Sequence, residues 1–123
     1  MDSTKNADSI GILTSILRTF AAEREWQKYH TPKNLIMALT GEVGELSELF
    51  QWLTPEEADR LMLDPNAAEK VRDEVADVAT YCFRLADILG FDLGEAMRNK
   101  MAKNVAKYPV EKAKGHARKY TEL

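Results

Sequence analysis

Proline and glycine are scarce in this chain, and where they fall fixes most of its architecture. Pro32 and Pro55 each follow a threonine. A threonine hydroxyl accepts from the free N–H groups of a first helical turn. A proline at the first helical position loses nothing, because its missing N–H would be unpaired there. Pro65 and Pro109 stand where helices are expected to stop. Between these points apolar residues recur every three or four positions, and no run alternates as a half-buried strand would. The pattern predicts an all-α fold, a bundle of four to five helices joined by short turns.

The first helix is expected to start at a cap near Asp8 or Ser9 and to end before Pro32, with Ile10, Leu13, Leu17, Phe20 and Ala21 as its apolar stripe. The second runs from Pro32 to about Leu53 and buries Leu35, Leu39, Leu46, Leu49 and Phe50. Thr54 and Glu57 are spaced as a capping box for a short helix that ends near Asp64-Pro65. A long helix follows from about Ala67 to Leu89, with Val71, Val75, Val78, Cys82, Leu85 and Leu89 as its core stripe and Gly90 as a left-handed terminator. Asp92 and Glu95 repeat the capping box and open a helix over residues 93–107. Residues 1–8 and 111–123 read as flexible tails of a single domain spanning 1–123. The two long helices are apolar on more than one side, which predicts that part of their surface is buried against another subunit.

Composition excludes several classes. Apolar residues make up 45% and charged residues 30%, too balanced for a disordered chain. No apolar run approaches the roughly 18 residues that span a bilayer. The opening MDSTKNADS lacks the basic-then-apolar pattern of a secretory signal, and a lone cysteine, Cys82, fits a reducing compartment, so a cytoplasmic location is expected. A net charge of −3 argues against a nucleic-acid polymer as partner. The charge is uneven, however. Arg98 to Lys119 carries eight basic residues and one acid, Glu111, which suits an electrostatic collar for a phosphorylated ligand.

The acids are placed with more purpose. Glu42 and Glu45 stand three residues apart on the second helix, and Glu74 and Asp77 three apart on the long one. Residues at i and i+3 share a helix face, so each pair projects two carboxylates in one direction beside an apolar stripe. Clustered like charges next to a core are costly unless a cation compensates them. Oxygen donors on facing helices suit Mg²⁺, with Mn²⁺ as substitute. There is no glycine-hinged calcium loop, and His30 and His116 lack the partners that zinc requires. Glu48, Glu56 and Glu57 read as solvated.

At these residues the sequence resembles the MazG-like all-α nucleoside triphosphate pyrophosphatases, marked by E-x-x-E, a gap and E-x-x-D. Here these are Glu42-Val43-Gly44-Glu45 and Glu74-Val75-Ala76-Asp77, separated by residues 46–73. The stretches Gly41–Trp52, His30–Leu35, Asp73–Ala86, Lys100–Pro109 and Lys119–Leu123 resemble the dCTP pyrophosphatase branch more specifically. The resemblance implies a homodimer or homotetramer that uses Mg²⁺ to hydrolyse a nucleoside triphosphate, dCTP or a modified dCTP foremost, to the monophosphate and pyrophosphate. It implies Glu42, Glu45, Glu74 and Asp77 as catalytic metal ligands. It further implies Trp26, His30, Asn34, Trp52, Tyr81, Lys100, Asn104, Lys107 and Tyr108 as substrate-binding residues. Glu45 is read as the group that orients or deprotonates the attacking water. Two rival readings are a broad-specificity pyrophosphatase for non-cytosine or damaged nucleotides, and a non-catalytic helical interaction module.

Overall fold

A computed structural model of the protein describes residues 9–123, and all regular structure in them is helical. The elements are α1 (Ser9–Glu23), α2 (Pro32–Glu48), α3 (Pro55–Asp59), α4 (Pro65–Leu89), α5 (Leu93–Lys107) and α6 (Val110–Ala113), with 3₁₀ turns at Leu61–Leu63 and Tyr120–Glu122. The predicted cap at Asp8 and the tail 1–8 lie outside the described residues. No helix among those described is long and apolar enough to cross a membrane.

The helix starts follow the predicted chemistry. Thr31 accepts from the Asn34 N–H ahead of Pro32. At α3 the capping box is complete: the Thr54 hydroxyl accepts from Glu57 N at 3.2 Å and the Glu57 carboxylate from Thr54 N at 3.1 Å. Asp92 accepts from the Glu95 N–H at 2.8 Å and opens α5, which supplies the forward bond of the predicted capping box and not the return bond. Asp64 caps α4 through the Asn66 N–H, with Pro65 as the first helical residue. The long helix therefore begins two residues earlier than the expected Ala67, because Asp64-Pro65 serves as a start rather than only as a stop.

Two helix ends share one device. Phe91 N bonds Ala86 O and Gly90 N bonds Asp87 O, both at 3.1 Å, closing α4 with Gly90 at φ 80°. Trp26 N bonds Ala21 O at 2.9 Å and Glu25 N bonds Ala22 O at 3.0 Å, closing α1 the same way. There the left-handed position is held by Glu25 at φ 54°, without the freedom of a glycine. The turn swings Trp26 back onto Phe20, ring centroids 5.6 Å apart and edge to face.

The second helix stops at Glu48 instead of Leu53. From Leu49 onward several N–H groups reach only three residues back (Leu49 to Leu46, Phe50 to Ser47, Leu53 to Phe50), tightening the chain into turns before Pro55. The residues after α5, read as a tail from 111 on, contain the short helix α6 and a 3₁₀ turn, and Tyr120 packs edge to face on Tyr108 at 6.1 Å.

α4 packs against α2 and α1 and also touches α5 and the first 3₁₀ turn. The fully buried apolar residues are Ala21, Leu35, Ala68 and Ala86. Three alanines in that set mean helix backbones in close approach. The predicted stripes are only partly covered: Leu13, Phe20, Val75 and Leu89 are exposed. So are Ile16, Met37, Met101 and Val105 on α1, α2 and α5. The expected stripe on α4 also misses the residues that are most buried on it, Ala68, Arg84 and Ala86.

Candidate active site

α2 and α4 bring the two acidic pairs together. One carboxylate oxygen from each of Glu42, Glu45 and Glu74 lies within 4.8 Å of the others. Glu42 Oε2 and Glu74 Oε2 are fully buried and have no hydrogen-bond partner. Burial pushes the Glu42 carboxyl up to about 7, helped by its contacts with Glu74 and Glu45 and by the negative charge of Glu45 and Asp77. Glu74 is raised as well, chiefly by burial and then by the charge and contact of Glu45 and the charge of Asp77, against a lowering contact with Glu42. Two orphaned buried oxygens among like charges are an arrangement that protein atoms leave uncompensated. The spacing suits oxygen ligands around one small dication.

Beside this cluster lies a cavity of about 140 Å³. Leu17 and Phe20 of α1 form one wall, and Trp26 and His30 come from the connection between α1 and α2. Glu42 comes from α2, and Asp77, Thr80, Tyr81 and Arg84 follow one another along α4. The α4 residues fall at i, i+3, i+4 and i+7, a single helix face. The cavity thus has an acidic end and an aromatic end. The acidic charges and burial raise the Tyr81 phenol above its usual value, burial being the larger cause.

The aromatic end closes on a chain of opposite charges. Arg84 is 4% exposed. Its Nε donates to His30 Nδ1 at 3.0 Å and a terminal nitrogen donates to Asp87 Oδ2 at 3.0 Å. Arg18 of α1 grips the same carboxylate with two bonds of 3.0 and 2.6 Å. Asp87 is held below the usual carboxylate range, first by the Arg18 bond and then by the two positive charges. His30 is lowered by burial and by the Arg84 charge. Trp26 stands edge-on to His30, centroids 5.9 Å apart.

Of the residues read from the sequence, the cavity gathers Trp26, His30, Glu42, Asp77 and Tyr81, and the carboxylate cluster adds Glu45 and Glu74. Asp77 lies outside the group of three close oxygens but lines the cavity with Glu42. The remainder stand elsewhere in the single chain. Asn34 spends its side-chain N–H on Tyr29 O at 3.1 Å, fixing the turn before α2. Trp52 is 86% exposed in the turn after α2. Lys100 lines a shallow depression on α5 with Ala96, Met97 and Met101. Asn104 is half-buried on the same helix, and Lys107 and Tyr108 both lie against the Tyr120 ring. Sequence reading missed Arg84 and Asp87. The signal was there, since Glu74, Asp77, Tyr81, Arg84 and Asp87 continue one polar line down α4 in steps of three and four.

The MazG-like family matches residues 38–123. This chain belongs to that family. The match takes in both acidic pairs, Tyr81, Arg84 and Asp87, while Trp26 and His30 lie before it. Among relatives of this MazG-like chain, dCTP pyrophosphatase 1 of Homo sapiens is 45% identical over 104 residues, covering 85% of the chain and 61% of the relative. The Bos taurus protein of that name is 44% identical over 104 residues, covering 85% of the chain and 62% of the relative. The chain spans about three fifths of the length of the curated relatives it matches. A pyrophosphatase of known crystal structure from Archaeoglobus fulgidus superposes with a TM-score of 0.76 at 39% identity, covering 84% of this chain and 94% of that one.

Proposed function

We propose that this MazG-like chain is a Mg²⁺-dependent pyrophosphohydrolase that converts dCTP, or a modified dCTP, to the monophosphate and pyrophosphate. The observation that carries this reading is the pair of buried, partnerless oxygens on Glu42 and Glu74, within 4.8 Å of a Glu45 oxygen and beside an aromatic cavity. The relatives named above support the substrate.

Glu42, Glu45, Glu74 and Asp77 would hold the cation, Mg²⁺ or Mn²⁺ in its place. When bound, it supplies positive charge against the phosphates and makes a nearby water more acidic. The chain's own residues do the rest. Glu45, the most accessible of the three clustered carboxylates, orients the attacking water toward the α-phosphorus and accepts its proton. Cleavage of the α–β bond then releases pyrophosphate. Trp26 and Phe20 offer an apolar face to the base, and Tyr81 stands between the base and the acidic end, where the sugar would lie. This arrangement places charge where charge develops and a flat apolar wall where the ligand is neutral.

The exposed apolar residues on α1, α2 and α5 support assembly into a homodimer or homotetramer. In such an assembly a second copy would bring Trp52, Lys100, Asn104, Lys107 and Tyr108 to the nucleotide, with the lysines against its phosphates. A cytoplasmic nucleotide pool is the matching source of substrate.

The test is a titration of Mg²⁺ against a panel of nucleoside triphosphates, with pyrophosphate release measured. Release that depends on Mg²⁺ and is fastest with cytosine nucleotides is expected. Equal release from every base would replace the reading with a broad-specificity enzyme, and none from any would leave a helical interaction module.

A further inference from the structure

Arg84 is a buried cation whose burial must be explained. A guanidinium has five N–H donors, no acceptor, and stays charged. Its contact with His30 Nδ1 at 3.0 Å is therefore possible in one sense only, with Nδ1 accepting. An imidazole that accepts at Nδ1 is neutral and carries its proton on Nε2. The ring is fixed from its backbone side too, since His30 N–H donates to Trp26 O at 3.0 Å. Arg84 is pinned in turn by Asp87, and Asp87 by Arg18, so the ring's partner is itself immobile. A neutral imidazole is poorly suited to a phosphate. It stands at the aromatic end of the cavity with Phe20 and Trp26, away from where the carboxylates would gather a cation.

We propose that Arg84 is a positioning residue that locks His30 as a neutral Nε2–H donor, through which the cavity reads a hydrogen-bond acceptor on the nucleotide base. The proposal rests on the pyrophosphohydrolase reading for the identity of the ligand, and on hydrogen-bond geometry alone for the state of His30. Sorting by base follows from it. A base that presents an acceptor to Nε2–H satisfies the donor, and one that presents another donor leaves a buried polar group unpaired.

Two measurements on the full chain test it. Long-range ¹H–¹⁵N NMR of the nucleotide-free protein at neutral pH reads the histidine tautomers, His116→Ala assigning the other ring. His30 is expected as the Nε2–H tautomer in the wild type and as a mixture in Arg84→Met. Arg84→Lys, which keeps a donor, should restore it in part. A proton on Nδ1 in the wild type, or no change in Arg84→Met, overturns the geometry whether or not any nucleotide is turned over. The second is a double-mutant cycle on the nucleotide that the wild type hydrolyses best. Arg84→Met and His30→Ala should each raise KM by about tenfold with a smaller change in kcat. The double variant should be no worse than His30→Ala, because Arg84 acts through that ring. Multiplying effects, or loss of inhibition by Mg-pyrophosphate in His30→Ala, would assign these residues to the phosphates and end the proposal. If Arg84→Met fails to fold, the wild-type tautomer and Arg84→Lys still decide the matter.

Discussion

The two ends of the cavity are built on opposite electrostatic plans. At one end Glu42, Glu45, Glu74 and Asp77 set like charges together and leave two oxygens partnerless. At the other, Arg18, Asp87, Arg84 and His30 alternate cation, anion, cation and acceptor, each bonded to the next. In the second set each charge meets its opposite within the chain, and together they hold the His30 ring in place. The first leaves two buried oxygens without a protein partner, as a set of cation ligands would. Each set has two members on α4, Glu74 and Asp77 in the first and Arg84 and Asp87 in the second, and what separates the two ends is which polar groups are satisfied.

Breaking the acidic end should have the largest effect. Glu42→Gln or Glu74→Gln is expected to lower pyrophosphate release by about 10²–10³-fold while the fold survives, read by steady-state kinetics beside far-UV circular dichroism. A loss under about threefold would return these acids to the solvated surface. At the other end, loss of the ion pairs that hold Arg84 falls on stability. Asp87→Ala strands the buried Arg84, whose side chain is 5% exposed, and should cost about 3 kcal/mol in denaturant unfolding. Arg18→Ala removes a side chain that is 59% exposed and should cost much less. Equal costs would deny that burial distinguishes the two arginines.

The acidic end also sets the sign of a pH effect. Glu42 titrates near 7 in the folded chain and at its ordinary 4.5 when unfolded. Between those values the folded state holds the extra proton on Glu42, so this carboxyl's contribution to metal-free stability falls as pH rises through that window and levels off above it, while His30, held below its usual value, works in the opposite direction. The difference in melting temperature between the wild type and Glu42→Gln across the window isolates the carboxyl, and added Mg²⁺ above pH 7 should stabilise the wild type more than the variant. A difference that does not change with pH would contradict the burial of Glu42. The smallest effect belongs to the aromatic wall. Glu25→Gly relieves the left-handed backbone at φ 54° and should stabilise by about 0.5–1 kcal/mol, leaving Trp26 in place by fluorescence.

Much of this was legible in the sequence, for reasons that are local. Thr54 with Glu57, Asp92 before α5 and Gly90 after α4 signal helix ends through groups a few residues apart. The i,i+3 spacing of the acids needs only that α2 and α4 be helices and neighbours. What escaped depends on distant partners. Arg84 and Asp87 extend the polar line of α4, but what they hold depends on His30 and Arg18, 54 and 69 residues away in the chain. Leu49 to Leu53 keep a helical apolar rhythm although the chain there has tightened into turns, since only the approach to Pro55 forbids a regular helix. The resemblance marks Trp52 and the α5 lysines as pocket residues, and the single chain leaves them outside the cavity.

The proposed activity needs carboxylates on α2 and α4 to form one dication site. Titrating Mn²⁺ into the nucleotide-free protein while following the free-ion electron paramagnetic resonance signal tests it most directly. The wild type should remove Mn²⁺ from solution, Mg²⁺ should displace it, and the Glu42→Gln/Glu74→Gln double variant should leave the signal undiminished. Equal uptake by the wild type and the double variant would show that these oxygens hold no cation.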